Sequence, residues 1–122
     1  MYQEHVLTHY GQPYHKGELP PGPGTVYHGG ERSVVCGDDV NIQARIVDGV
    51  ITAIWWHGDG CCFSQAAASM LIEYADGKTV QEVRDFREED LIELFQADCP
   101  SPRRGCLLVS LRALQNLLES YP

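Results

Sequence analysis

Apolar and polar residues alternate most clearly near the middle of the chain, and this alternation predicts a small antiparallel sheet. Residues 40–46 are apolar at every second position, the period of a strand with one face against a core. The dipeptide Asp48-Gly49 is favourable for a tight hairpin turn, and residues 50–56, rich in β-branched and aromatic side chains, predict the returning strand. Residues 25–28 and 33–35 are candidate pieces of a first strand.

Helical spacing of apolar residues accounts for most of the remaining chain. It predicts an N-terminal helix within residues 2–10, a helix at 64–76, short helical segments within 78–83 and 88–95, and a last helix from Cys106 onward. A loop rich in Gly and Pro follows the first helix, from Gly11 to Gly30. We therefore predict a single α+β domain over residues 1–122, with a small three-stranded antiparallel sheet packed against about four to five helices.

The charge balance limits the partners of the chain. Nine basic and seventeen acidic residues give a formal net charge of −8, which argues against nucleic acid or an anionic membrane and favours a basic protein surface. The N-terminal sequence has no apolar segment of signal-peptide length, and no apolar run is long enough to span a bilayer. We therefore expect a cytoplasmic protein.

The cysteines lie at informative places. They occupy positions 36, 61, 62, 99 and 106, an odd number in a chain without an export signal, so we expect reduced thiols rather than disulfides. Cys61 follows Gly58-Asp59-Gly60 at the junction of the returning strand and the helix, where the N–H groups and dipole of a helix N-terminus favour thiolate over thiol. Cys106 repeats this arrangement at the start of the last helix.

The predicted hairpin returns the chain to its starting end, so it brings Cys36 and Cys61 toward each other. Asp38 can reach the same point with its carboxylate. Together with Cys106, these residues would supply three thiolates and one carboxylate, a donor set suited to zinc or to a [2Fe–2S] cluster. Taken alone, the spacing is a weak signal, because it matches no zinc-ribbon pattern.

Simpler interpretations stay open for these residues. Free cysteine is often buried, so scattered thiols can be core residues. An Asp after Gly commonly caps a turn, which is the alternative for Asp38. Cys62 is interpreted as a packed thiol, with a spare nucleophile as the alternative, Cys99 as a bystander, and His57 as an imidazole on the surface or behind the ligands.

Four short motifs follow one another along the chain: His9-Tyr10-Gly11-Gln12-Pro13, Cys36-Gly37-Asp38, Gly58-Asp59-Gly60-Cys61 and Arg103-Arg104-Gly105-Cys106. Each motif alone is unspecific. Their order and separation, over nearly the whole chain, resemble the NifU N-terminal (IscU/SufU-type) family of iron–sulfur cluster assembly scaffolds.

The resemblance implies that Cys36, Asp38, Cys61 and Cys106 bind the metal or cluster, with a [2Fe–2S] cluster or iron as occupant and zinc as the alternative. In such scaffolds a cysteine desulfurase delivers persulfide sulfur to a thiol, for which Cys36 and Cys61 are the candidate acceptors. The cluster then passes to apo iron–sulfur acceptor proteins. The resemblance therefore implies a scaffold that is not itself an enzyme.

Two alternatives to the scaffold stay open: a SufU-type zinc-dependent sulfurtransferase, and a module whose zinc only stabilises the fold. The chain also departs from both branches of the family. Gly105 stands where the IscU branch usually has His, and the segment 62–105 is too short for the insertion of the SufU branch. The segment 99–103 replaces the chaperone-recognition stretch of the IscU branch.

Overall fold

The computed structural model of the chain describes residues 4–33, 37–95 and 104–122. This part contains three strands, β1 (Thr25–Arg32), β2 (Asp39–Val47) and β3 (Val50–Asp59). Its five helices are α1 (Glu4–Gly11), α2 (Cys62–Ala75), α3 (Val80–Arg84), α4 (Glu88–Phe95) and α5 (Arg104–Glu119). The predicted α+β fold, with its three-stranded antiparallel sheet, is confirmed. Among the described helices, none has the length and apolar character needed to cross a membrane.

The strands pair in the order β1-β2-β3, each antiparallel to its neighbour. Ile42 of β2 lies opposite Trp56 of β3, and both side chains are buried on the face that meets the helices. Asp48 and Gly49 form the turn between these strands with φ angles of 51° and 76°, which Asp and Gly tolerate best. The predicted hairpin is therefore confirmed.

Strand β1 differs from the sequence prediction. It is one strand that includes Gly29 and Gly30, so the loop rich in Gly and Pro ends before Thr25 and not at Gly30. Helix α5 packs across β1, and Asn116 Nδ2 donates a hydrogen bond to Gly30 O at 2.8 Å. Of the second predicted piece, Ser33 follows the strand and residues 34–35 lie outside the described residues.

Two clusters of buried apolar side chains hold the helices on the sheet. The larger one, the sheet cluster, joins the inner face of the sheet to α2 and α5 through side chains such as Ile42, Trp56, Leu71 and Leu114. The smaller one, the thiol-side cluster, joins α1, α2, α4 and α5 and consists of Val6, Phe63, Ala66, Ala67, Met70, Phe95 and Leu107. Burial of one large apolar side chain stabilises a fold by about 1.5–3 kcal/mol. The thiol-side cluster therefore fixes the beginnings of α2 and α5 to each other.

The loop between α1 and β1 follows the outer edge of β3. The Trp56 N–H donates to His15 O at 3.1 Å, and the Gly17 N–H donates to Trp56 O at 2.7 Å. Further along, Arg45 Nη2 donates to Pro20 O at 2.9 Å. These hydrogen bonds fix the loop to the sheet and bring its side chains close to α2.

Candidate metal centre

Two helix N-termini and the beginning of a strand meet at one end of the sheet. Asp38 directly precedes β2, Cys61 directly precedes α2, and Cys106 lies in the first turn of α5. Each residue offers one ligand atom, and the three atoms lie within 4.8 Å of one another. The structure thus brings together three of the four ligands predicted from the sequence.

Asp38 contacts Cys61 through both of its carboxylate oxygens. Oδ1 accepts a hydrogen bond from the Cys61 backbone N–H at 2.8 Å, and Oδ2 lies 4.0 Å from Cys61 Sγ. The Asp38 side chain is fully buried, and a buried carboxylate needs hydrogen bonds or a positive potential to stay charged. The N-terminus of α2 supplies both, because its backbone N–H groups and its dipole point at the carboxylate.

Gly60 permits this close approach between Asp38 and Cys61. A Cβ atom on Gly60 would collide with Asp38 Oδ1 and would lie 2.6 Å from Ser64 Oγ. Ser64 is buried, and its hydroxyl donates to Cys61 O at 3.1 Å. The glycine before Cys61 is therefore required by the packing of the carboxylate and the hydroxyl around the helix start.

The two thiols of the group differ in their exposure. Cys61 is half-buried, whereas the Cys106 side chain is 2% exposed. Neither thiol forms a disulfide among the described residues. Cys61 is therefore accessible from solvent, whereas Cys106 is almost completely enclosed by its neighbours.

The donor set fits a metal that prefers thiolate ligands. Cys thiolates bind zinc and iron–sulfur clusters, and zinc also accepts carboxylate oxygens. In a tetrahedral site with metal–sulfur bonds of about 2.3 Å, neighbouring sulfur atoms lie about 3.8 Å apart. Since the three ligand atoms lie within 4.8 Å of one another, a contraction of about 1 Å brings them to this spacing.

The remaining candidates from the sequence lie in different places. Cys36, the fourth predicted ligand, and Cys99 are outside the described residues. Cys62 is the first residue of α2 and packs against the thiol-side cluster; burial and then the neighbouring Cys61 raise the pKa of its thiol. His57 lies on the exposed face of the sheet and does not belong to the three-residue group that the described residues form.

Two residues beside the group were not singled out from the sequence. Gln65 lies on α2 one turn after Cys61, is 4% exposed, and accepts a hydrogen bond at Oε1 from Lys16 Nζ at 2.8 Å. Lys16 Nζ lies 5.1 Å from the centre of the Trp56 ring. A polar residue four positions after Cys61 was a signal available in the sequence. The partner was not, because 49 positions separate Lys16 from Gln65.

The fold and the site define a class of protein: a small α+β domain whose described part places a buried carboxylate and two thiols at the N-termini of two helices. The chain belongs to the family of the NifU-like N terminal domain, which matches residues 1–122. The family resemblance identified from the sequence motifs is therefore confirmed.

Individual relatives agree with this assignment. The chain is 33% identical over 89 residues to the iron-sulfur cluster assembly scaffold protein IscU of Thermotoga maritima, a match that covers 73% of this chain and 61% of that protein. It is 25% identical over 121 residues to the protein of the same name from Escherichia coli K12, covering 98% and 93% of the two chains. The crystal structure of a nitrogen-fixing NifU-like protein (N-terminal) from Brucella abortus has the same fold, with a TM-score of 0.73, 19% identity, and coverage of 98% and 95%.

Proposed function

We propose that the chain is an iron–sulfur cluster assembly scaffold that receives persulfide sulfur from a cysteine desulfurase and binds a transient [2Fe–2S] cluster. The observation that carries this proposal is the convergence of Asp38, Cys61 and Cys106, with ligand atoms within 4.8 Å of one another. Membership of the NifU-like family and the similarity to IscU scaffold proteins support it. In this role the cluster is cargo that passes on to apo iron–sulfur proteins, and the chain is a scaffold rather than an enzyme.

Of the two described thiols of the site, Cys61 is better placed to accept sulfur, because it is half-buried whereas Cys106 is 2% exposed. Transfer from a donor persulfide, R–S–SH, to the Cys61 thiol gives R–SH and a Cys61 persulfide. One sulfur–sulfur bond breaks and one forms, so the step needs no external oxidant or reductant. Cys36 is the second candidate acceptor and lies outside the described residues.

The proposed partner is a desulfurase with a basic docking surface, since the chain has a formal net charge of −8. The proposed location is the cytoplasm, because the chemistry requires cysteines kept in the reduced state.

Anaerobic reconstitution with iron, cysteine and a cysteine desulfurase tests the scaffold function. We expect the visible absorption spectrum of a [2Fe–2S] cluster with the wild-type chain, and its loss in Cys36→Ser, Cys61→Ser and Cys106→Ser. The matched control is Cys62→Ser, which changes the adjacent thiol that packs against the thiol-side cluster. This variant should keep the spectrum.

Two other results would contradict the scaffold function. One tightly bound zinc ion, faster desulfurase turnover and no cluster would indicate a SufU-type zinc-dependent sulfur relay. Bound zinc without any effect on the desulfurase would indicate a structural zinc site, in which Asp38→Ala lowers only metal affinity and melting temperature.

A further inference from the structure

The orientation of the Gln65 side-chain amide is determined by its partner. Gln65 is 4% exposed, and Lys16 Nζ lies 2.8 Å from one end of the amide. A lysine ammonium group only donates hydrogen bonds, so this end must be the oxygen, Oε1. The amide nitrogen, Nε2, therefore points away from Lys16.

Nε2 of Gln65 is a buried donor without a hydrogen-bond partner in the described part of the chain. An unpaired buried donor costs stability, because the group loses its water without gaining another acceptor. Native proteins rarely keep such groups, and those that persist often face a ligand or an ordered water. Within the described part of the chain the Gln65 donor has no acceptor, so a bound group or an ordered water would satisfy it.

The helix geometry places this donor over the turn that begins with Cys61. The Gln65 N–H donates to Cys61 O at 3.1 Å, so the two residues are helical neighbours at positions i and i+4. Side chains at this spacing have Cβ atoms about 5–6 Å apart, and helical side chains lean toward the N-terminus. The Gln65 side chain thus leans toward the turn of α2 that begins at Cys61.

We propose that Gln65 Nε2 donates a hydrogen bond to the outer sulfur of a persulfide on Cys61, with Lys16 as the positioning residue that orients the amide. This assignment rests on the proposed function, since it concerns the sulfur that the scaffold receives. The Cys61 sulfur itself faces Asp38 Oδ2 at 4.0 Å and makes no hydrogen bond with Gln65. The donor is therefore suited to an additional sulfur atom bonded to Cys61 Sγ.

The chemistry of a persulfide matches this donor. Sulfur transfer from R–S–SH leaves R–SH and a Cys61 persulfide whose outer sulfur carries the negative charge after loss of its proton to water. A neutral N–H donor stabilises such an anion through a charge-assisted hydrogen bond. The Lys16 ammonium group, which lies 5.1 Å from the centre of the Trp56 ring, adds positive potential behind the amide.

Persulfide loading without iron or desulfurase tests the assignment. The chain is incubated anaerobically with glutathione persulfide, alkylated, and analysed by peptide mass spectrometry for persulfide at Cys61. For Gln65→Met, which keeps the approximate volume but removes the donor, we expect about tenfold less Cys61 persulfide than in wild type. The matched control, Gln115→Met on the exposed side of α5, should equal wild type.

A second pair of variants tests the orienting role of Lys16. Lys16→Met removes the donor to Oε1 and should lower the Cys61 persulfide about threefold, because the amide is then free to turn. Lys16→Arg still donates to Oε1 and should restore most of the wild-type level. We expect both variants to keep the wild-type circular dichroism spectrum. Under that condition, rescue by arginine separates the orienting role of Lys16 from a merely structural one.

Equal persulfide levels at Cys61 in wild type and Gln65→Met overturn the assignment. If Gln65→Met does not fold, Gln65→Glu tests the assignment instead. Its carboxylate can still pair with Lys16 but offers only acceptors to an anionic sulfur. A wild-type level of Cys61 persulfide in Gln65→Glu also overturns the assignment. Because iron and desulfurase are absent, these results are independent of cluster assembly. A chain that shows the Gln65 effect but assembles no cluster would contradict the scaffold function alone.

Discussion

Helices α2 and α3 begin in different ways, and the difference indicates which helix start is available for a ligand. Helix α3 has a complete local cap: Thr79 Oγ1 accepts the Glu82 N–H at 3.1 Å, and the Glu82 carboxylate accepts the Thr79 N–H at 3.1 Å. Helix α2 begins after Cys61, whose side chain makes no capping bond in the described structure. The Cys61 N–H is instead bonded to Asp38, the residue that directly precedes β2. A local cap stabilises its own helix, whereas the Asp38 contact links a helix start to the sheet and to a thiol.

The two ends of α2 show the same contrast. At its C-terminal end, the Asp76 N–H donates to Ile72 O, and the Asp76 carboxylate accepts the Tyr14 hydroxyl at 2.6 Å. These contacts are all made between groups of the chain itself. At the N-terminal end, Cys61 lies together with Cys106 and the buried Asp38 carboxylate. Helix α2 is therefore anchored by contacts within the chain at its C-terminal end, and its N-terminal end borders the candidate metal ligands.

Gly60→Ala should weaken the N-terminal end of α2 most strongly. The new Cβ would collide with the Asp38 carboxylate and crowd Ser64, so we expect unfolding in urea to require about 3 kcal/mol less free energy. Zinc affinity should fall as well, because Asp38 must move. The control is Gly105→Ala, where a Cβ meets no atom within 4 Å. Equal urea midpoints for the two variants would show that the close approach at Gly60 is unimportant.

Asp38→Ala and Asp38→Asn separate the two roles of this carboxylate. Ala leaves the Cys61 N–H without its acceptor, and we expect a loss of about 2 kcal/mol in the free energy of unfolding. Asn retains an oxygen that can accept this hydrogen bond, so its loss should be smaller. Both variants should bind cobalt or zinc more weakly, as measured by chelator competition, because the anionic ligand is gone. If Asn destabilises the chain as much as Ala, Asp38 acts through its charge and not through the bond to Cys61.

Thr79→Ala should weaken the start of α3 and leave the start of α2 unchanged. Loss of the cap should lower the free energy of unfolding by about 1 kcal/mol, with zinc affinity unchanged. The hydrogen bonds from Thr79 hold the pKa of Glu82 below its usual range. The capping box therefore contributes at neutral pH, and its contribution is lost as pH falls through the lowered pKa. In the acid range, the free energy of unfolding should therefore depend less on pH in Thr79→Ala than in wild type. A reduced zinc affinity in this variant would contradict the independence of the α2 and α3 helix starts.

Tyr14→Phe should have the smallest effect, at the anchored end of α2. Loss of the bond to Asp76 should cost about 0.5 kcal/mol at neutral pH. The hydrogen bond to Asp76, together with burial, raises the pKa of Tyr14 from 10.0 to about 12. A raised pKa favours the protonated folded form, so the Tyr14 contribution is complete below pH 10 and is lost as pH rises toward 12. Urea unfolding of both proteins from pH 7 to 11 should therefore show a difference that shrinks at the alkaline end; a constant difference would contradict it.

The sequence predicted the elements whose signals are local. The turn at Asp48-Gly49 and the helix after Cys61 depend on neighbouring residues, and the structure confirms both. Strand β1 was predicted only in pieces, because its glycines interrupt the apolar period and its burial comes from α5, far along the chain.

For the candidate site, the sequence indicated residues that lie together in the structure but not the contacts between them. Residue types and the family resemblance indicated Asp38, Cys61 and Cys106, and the structure brings these three together. The double contact between Asp38 and Cys61, and the pairing of Gln65 with Lys16, depend on how the hairpin and the loop fold back. No periodicity in the sequence encodes such long-range contacts.

The pairing of the α1–β1 loop with β3 has a consequence for aggregation. Unpaired strand edges recruit strands from other molecules and so promote the growth of intermolecular sheets. At the centre of the β3 edge, both backbone groups of Trp56 are already bonded to His15 and Gly17 of the same chain. A foreign strand cannot pair there without displacing the loop, so this part of the β3 edge is protected from intermolecular sheet formation.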